Sequence, residues 1–117
     1  MTSSEAVSNR MTSKWLVDPA VGIEVNGAFE PCKQWTGALD RGGYGKVSVE
    51  GKTCRTHRVS YALEYGSVPE GMVLDHLCKN RRCGNPLHLD PVTQKENVRR
   101  GDSPVGKAMR LFEAVNK

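Results

Sequence analysis

The stretch DHLCKNRRCGNPLHLDPVTQKEN, from Asp75 to Asn97, gathers two histidines, two cysteines, carboxylates and asparagines among arginines and lysines. Thiolates and imidazoles are the side chains that hold zinc, and carboxylate or amide oxygens are those that hold magnesium or manganese. The segment carries more of both than one ion needs. Cys78, Cys83 and His88 stand at C-x4-C-x4-H spacing, which lets them converge on a tetrahedral zinc. The fourth ligand is missing locally. Cys32, after Pro31 at an expected chain turn, is the better candidate, because Cys54 falls in an expected strand where a small buried thiol is common. A site closed by four protein ligands ties loops together and keeps no open position for catalysis. Asp75, His76 and Asn97 are left for other work.

Those residues need a frame. MVLDHL (72–77) reads as an apolar strand that delivers Asp75 and His76 to its end. CKNRRCGNP is too polar and too rich in Gly, Asn and Pro for a regular element, and LHLDPV forms a second short strand. Thr93 and Glu96 make a T-x-x-E capping box, so a helix begins at Gln94, places Asn97 in its first turn and ends at Gly101. Upstream, VGIEV (21–25) and WTGAL (35–39) read as short strands, and YGKVSVE with KTCRT as a hairpin around Gly51 with Val47 and Val49 on one face. HRVSYALEY reads as a helix stopped by a left-handed Gly66. Ser103-Pro104 looks like the start of a C-terminal helix over 102–117, with Val105, Ala108, Met109 and Phe112 on one face. Residues 1–13 are rich in Ser and Thr without apolar periodicity and read as a flexible arm before a domain over 14–101. The fold class expected is α+β, with an N-terminal antiparallel hairpin or sheet and a C-terminal helix.

A chain of 117 residues accommodates one core. With 38% apolar and 6% aromatic residues that core is small, which makes a structural metal a reasonable addition. The net charge of +4 is uneven: residues 1–70 carry eight Lys/Arg against eight Asp/Glu, and residues 71–117 nine against five. Basic charge beside a metal cluster points to a polyanionic partner, the bland reading being a solvated basic surface. No segment is apolar and long enough to cross a membrane and the N-terminus lacks the apolar run of a secretory signal, so no membrane partner and an intracellular location are expected. In a reducing compartment the four cysteines are ligands or free thiols rather than disulfides.

DHLCKNRRCGNPLHL followed by ENVRRG, the C-x-x-W-T-G start at Cys32, the Gly-Tyr-Gly turn at 43–45 and HRVSYALEYG together resemble the HNH, or His-Me finger, endonucleases. The resemblance is to the branch with a Cys/His-bound zinc, found in His-Cys box homing endonucleases and small phage-type HNH proteins. It implies a zinc-stabilised ββα-metal domain that hydrolyses DNA, with His76 as general base and Asn97 as ligand of a catalytic Mg2+ or Mn2+. Cys32, Cys78, Cys83 and His88 would hold the structural zinc. Asn85 matches the middle asparagine of the signature and is expected to fix its loop by hydrogen bonds. Many HNH members carry a second metal-binding histidine where this chain has Asn97, so Asp75 is either a ligand of the catalytic ion or an acid that orients the loop. The resemblance favours Arg58 as the catalytic cation near the scissile phosphate. Arg55, Arg58, Lys79, Arg81, Arg82, Arg99 and Arg100 stand where DNA-backbone contacts are expected, and His57 is expected to pack. The C-terminal apolar stripe either covers its own domain or makes a homodimer. The alternative function is a zinc-stabilised DNA-binding module without nuclease activity, which explains the zinc and the charge but not the pairing of His76 with Asn97. A secreted disulfide protein is the third reading.

Overall fold

The computed structural model describes residues 3–101 and 107–108. Along the chain these form α1 (Ser3–Thr12), β1 (Trp15–Val25), β2 (Ala28–Trp35), β3 (Lys46–Val49), β4 (Lys52–Arg55), α2 (Thr56–Tyr65), β5 (Met72–His76), a 3-10 turn (Pro86–His88), β6 (Leu89–Thr93) and α3 (Gln94–Arg100). The described strands pair as the antiparallel hairpins β1-β2, β3-β4 and β5-β6. The last hairpin and α3 make the expected ββα unit of an α+β fold.

The first hairpin turns at Asn26-Gly27, both left-handed with φ of 51° and 84°. This is the dipeptide that a tight hairpin turn demands, because asparagine and glycine tolerate positive φ best. It makes the hairpin longer than the two short strands expected at 21–25 and 35–39. Pro31 and Cys32 therefore lie inside β2 rather than at a turn, and Leu39 keeps only an isolated bridge to Gly45. Pro31 faces Gly22, next to an irregularity in the register, and a side chain at position 22 would collide with the Glu30 carbonyl. The other edge of β2 meets the metal-rich loop: Trp35 N–H donates to the Arg82 carbonyl at 2.9 Å and Gly84 N–H to the Lys33 carbonyl at 2.7 Å. That edge contact carries Cys32 to Cys83.

The segment read as a flexible arm is corrected by the structure: Ser3–Thr12 is a helix. Val7 and Met11, one turn apart, are buried against Trp35, with Trp15, Val47, Val49 and Val59 around them. Two apolar positions are too few to show a period, and Trp35, which completes the cluster, lies far along the chain. Gly45 lets the 39–46 loop lie against that tryptophan, since a Cβ there would run into the Trp35 ring and the Thr56 hydroxyl.

Helix α2 ends as expected, with Gly66 at φ 93° donating its N–H to the Ala62 carbonyl. Half of the capping box of α3 forms: Thr93 Oγ1 accepts the Glu96 N–H at 3.2 Å. The Glu96 carboxylate does not reach back to Thr93 and instead holds Arg99 and Arg100. The C-terminal helix expected over 102–117, with its stripe of Val105, Met109 and Phe112, lies outside the described residues except for Lys107 and Ala108. No helix among the described residues is long and apolar enough to cross a membrane.

Candidate metal centre and active site

Cys32 from β2, Cys78 and Cys83 from the loop after β5, and His88 from the 3-10 turn bring their ligand atoms within 4.8 Å of one another. Cys83 and His88 are fully buried. His88 Nδ1 lies 3.4 Å from Cys83 Sγ and 3.7 Å from Cys32 Sγ. Ligands on a tetrahedral zinc are about 3.5–3.8 Å apart, given metal–ligand bonds of about 2.0–2.3 Å, so the donor set fits that ion. The histidine is already turned for it. His88 Nε2 is 2.9 Å from the Glu30 carbonyl, which only accepts, so the ring proton sits on Nε2 and the Nδ1 lone pair faces the thiols.

The three thiols perturb one another. Cys83 is held down to about 5, first by a hydrogen bond from the Cys78 thiol and further by the Asn85 N–H at 3.4 Å. Cys78, which gives that hydrogen bond, is pushed up, and Cys32 is pushed up by burial and then by the neighbouring Cys83. A dication among the three sulfurs would let all of them ionise. Asn85 fixes the loop as expected, accepting the Leu87 N–H and donating to the Pro31 carbonyl at 2.8 Å. Cys54 stays apart, half-buried in β4.

His76 ends β5 and is excluded from the cluster, yet it is fastened to it. Its Nε2 lies 3.1 Å from the backbone carbonyl of Cys83, so Nε2 carries the proton and Nδ1 is left as an acceptor. Burial is the main cause of its lowered pKa, with the Cys83 carbonyl acting in the other direction. The ring is neutral near pH 7. It is walled by His57 at 4.6 Å and Tyr44 at 5.9 Å between ring centroids. His57 packs as expected; burial first, then His76, Arg55 and Arg58, hold its pKa at about 3. Its Nδ1 is buried with no hydrogen-bond partner.

Asp75 precedes His76 and faces Asp90 across the ribbon. Two carboxylates directly opposite repel, and Arg100 of α3 relieves this by donating to Asp75 at 3.1 Å and to Asp90 at 2.8 Å. Glu96 holds the same guanidinium through its Nε at 2.9 Å. One Asp75 oxygen is thereby fixed. Asn97 lies on α3 three positions before Arg100, on the neighbouring part of the helix surface, half-buried beside the ribbon on which α3 packs.

The basic residues divide by what the fold has done with them. Arg82 is engaged internally, its Nε and Nη2 both donating to the Trp35 carbonyl at 3.0 and 2.8 Å. Arg100 is engaged by its carboxylates and Arg99 by Glu96. Lys79 reaches the Arg100 carbonyl from a left-handed backbone position. Arg55, Arg58 and Arg81 are exposed. Tyr44 and Asp40, absent from the sequence-based site, join two of them: the Arg55 guanidinium lies 4.3 Å and that of Arg81 5.4 Å from the Tyr44 ring centroid. Asp40 accepts from Arg55 Nε at 3.2 Å. The Gly-Tyr-Gly turn marked this loop in the sequence, but nothing there linked it to either arginine.

Residues 54–99, which hold α2, β5, β6, all but the last residue of α3, His76 and Asn97, match the sequence profile of the HNH endonuclease family. Protein 7.7 of Escherichia phage T7 is 46% identical over 69 residues, covering 59% of this chain and 53% of that protein. Protein 2.8 of the same phage is 41% identical over 68 residues, 56% of this chain and 45% of its own. The uncharacterized gene 5.3 protein of Enterobacteria phage T3 is 31% identical over 62 residues, 48% of this chain and 61% of that one. The chain thus spans about half the length of the curated relatives it matches. No solved structure matches it. Over residues 54–99 this chain is similar to the HNH endonuclease family.

Proposed function

We propose that the protein is a metal-dependent DNA endonuclease that hydrolyses phosphodiester bonds, with His76 as general base. One observation carries this reading: a buried, neutral histidine is kept off the metal cluster, with Nε2 committed to the Cys83 carbonyl and Nδ1 free to take a proton. Water attacking phosphorus gives its proton to Nδ1 as the new P–O bond forms and the bond to the leaving 3' oxygen breaks. The Cys83 carbonyl steadies the resulting imidazolium. The thiolates and His88 serve a closed structural zinc that holds this carbonyl, and so the base, in place.

Asn97 and the remaining oxygen of Asp75 are the groups that would hold a catalytic ion. Two oxygen donors suit Mg2+ or Mn2+, which take few protein ligands and complete their shell with water and phosphate. Such an ion, when bound, offsets the charge that grows on the phosphate and the leaving oxygen. Arg58, exposed in the first turn of α2, is the residue proposed as the catalytic cation at the scissile phosphate. Arg55, Lys79, Arg81 and Arg99 supply further backbone contacts, while Arg82 and Arg100 act within the fold. A single site cuts one strand per visit, so the first product is a nick, and a linear product takes a second visit or a second copy.

The test is supercoiled plasmid incubated with zinc-loaded protein, with and without Mg2+ or Mn2+. Nicked circles that need the added ion and vanish in His76→Ala support the reading. Protein that binds the plasmid but never nicks it with either ion leaves the DNA-binding module in its place.

A further inference from the structure

We infer that Tyr44 and Asp40 are positioning residues that hold Arg55 and Arg81 as a paired guanidinium clamp for a DNA-backbone phosphate beside His76. The inference rests on the nuclease reading for the identity of the polyanion, and on geometry for the clamp. Arg55 ends β4, and Arg81 stands in the metal loop. They meet at one ring: their guanidinium carbons lie 4.3 and 5.4 Å from the Tyr44 centroid, and that ring is 5.9 Å from the His76 ring.

The loop that presents Tyr44 is itself braced. Asp40 Oδ1 accepts the N–H groups of Gly42 at 2.8 Å and Tyr44 at 3.1 Å, and a left-handed Gly43 at φ 84° completes the turn. The same carboxylate, through Oδ2, takes Arg55 Nε, and the Gly42 carbonyl takes Arg81 Nη1 at 2.7 Å. Each exposed arginine is therefore pinned through one nitrogen and one face. The other N–H groups of each guanidinium have no protein partner among the described contacts. A planar fork of donors matches phosphate oxygens, and fixing a long side chain beforehand reduces the ordering cost of binding. A pair placed only for packing would present its charges in the same way, so the test must read DNA rather than stability.

The experiment compares wild type, Tyr44→Phe, Tyr44→Leu and Asp40→Asn, all zinc-loaded and checked for melting temperature. It uses a short labelled duplex without added divalent ion for Kd and its salt dependence, and plasmid nicking with Mg2+ for kcat and KM. Tyr44→Phe keeps the ring and stays within about twofold of wild type. Tyr44→Leu raises Kd and KM about tenfold, changes kcat less than about threefold, and lowers the slope of log K against log salt by about one or two, the size of one or two lost phosphate contacts. Asp40→Asn retains an acceptor for the turn but not the charge on Arg55; it weakens binding in the same sense and carries the test if Tyr44→Leu fails to fold. Wild-type Kd and slope in both Tyr44→Leu and Asp40→Asn overturn the clamp. So does a Tyr44→Phe protein as weak as Tyr44→Leu, or a fall in kcat at unchanged Kd. A wild type that binds in this clamp-dependent way but never nicks removes the nuclease reading and leaves the clamp standing.

Discussion

Replacing Cys32 with alanine isolates what the metal cluster does for the fold. Cys32 is the ligand remote in sequence, about 46 positions before Cys78, and it ties the β1-β2 hairpin to the loop that holds the other ligands. By the loop-closure argument used for cross-links, releasing a tie across about 46 residues costs roughly 4 kcal/mol through the unfolded chain. Native contacts near the site are largely kept: Glu30 still accepts from His88, Pro31 from Asn85, and Trp35 still donates to Arg82. Loss of a coordination bond adds to the loop term, so the figure is a lower bound. For a domain of about 100 residues, 4 kcal/mol lowers the melting temperature by roughly 15–30 °C. The assay is a thermal melt by circular dichroism with zinc content measured on the same samples. Wild type stripped of zinc is expected to melt near Cys32→Ala, and restoring zinc is expected to rescue only the wild type. A zinc-containing wild type whose Cys32→Ala variant melts within a few degrees of it would refute the assignment of Cys32 as a ligand.

His76→Ala removes the proton acceptor and leaves the zinc ligands intact, so plasmid nicking is expected to fall about a hundredfold or more while zinc content and duplex affinity stay near wild type. Asn97→Ala is expected to nick weakly and recover in part as Mg2+ or Mn2+ is raised, whereas no ion concentration recovers His76→Ala; equal responses would place Asn97 away from the ion. His57 has a folded pKa of about 3, below its ordinary 6.5, so the unfolded chain binds the extra proton and stability is lost as pH falls through that window. Zinc-saturated His57→Phe is therefore expected to lose less stability than wild type between pH 7 and pH 5 in urea melts, by roughly 2 kcal/mol, and parallel losses would contradict the assignment. Arg100→Met leaves Asp75 and Asp90 facing each other without their shared cation, and its urea midpoint is expected to drop, recovering in part at high salt; an unchanged midpoint would refute a stabilising role for the Arg100 ion pairs.

Local chemistry made part of this protein legible from its residues alone. The spacing of Cys78, Cys83 and His88 described a Cys/His cluster because side chains so close in sequence can meet whatever the rest of the chain does. Thr93 capped α3 and Gly66 ended α2 because a hydroxyl before a helix and a glycine after one act within a turn of themselves. The Asn26-Gly27 turn is equally local, but the turn expected from the sequence is at Pro31-Cys32 instead, which makes the first hairpin too short. Other features depended on partners that only folding supplies. Ser3–Thr12 is helical because Val7 and Met11 find Trp35, a residue that no short window of sequence joins to them. Arg82 and Arg100 look like DNA-facing cations in the sequence, but the first is drawn to the Trp35 carbonyl and the second to Asp75, Asp90 and Glu96. Arg55 and Arg81 remain exposed and meet at Tyr44. A side chain's charge is a property of its type, whereas whether that charge is left for a partner depends on the acceptors that distant segments bring within hydrogen-bond reach.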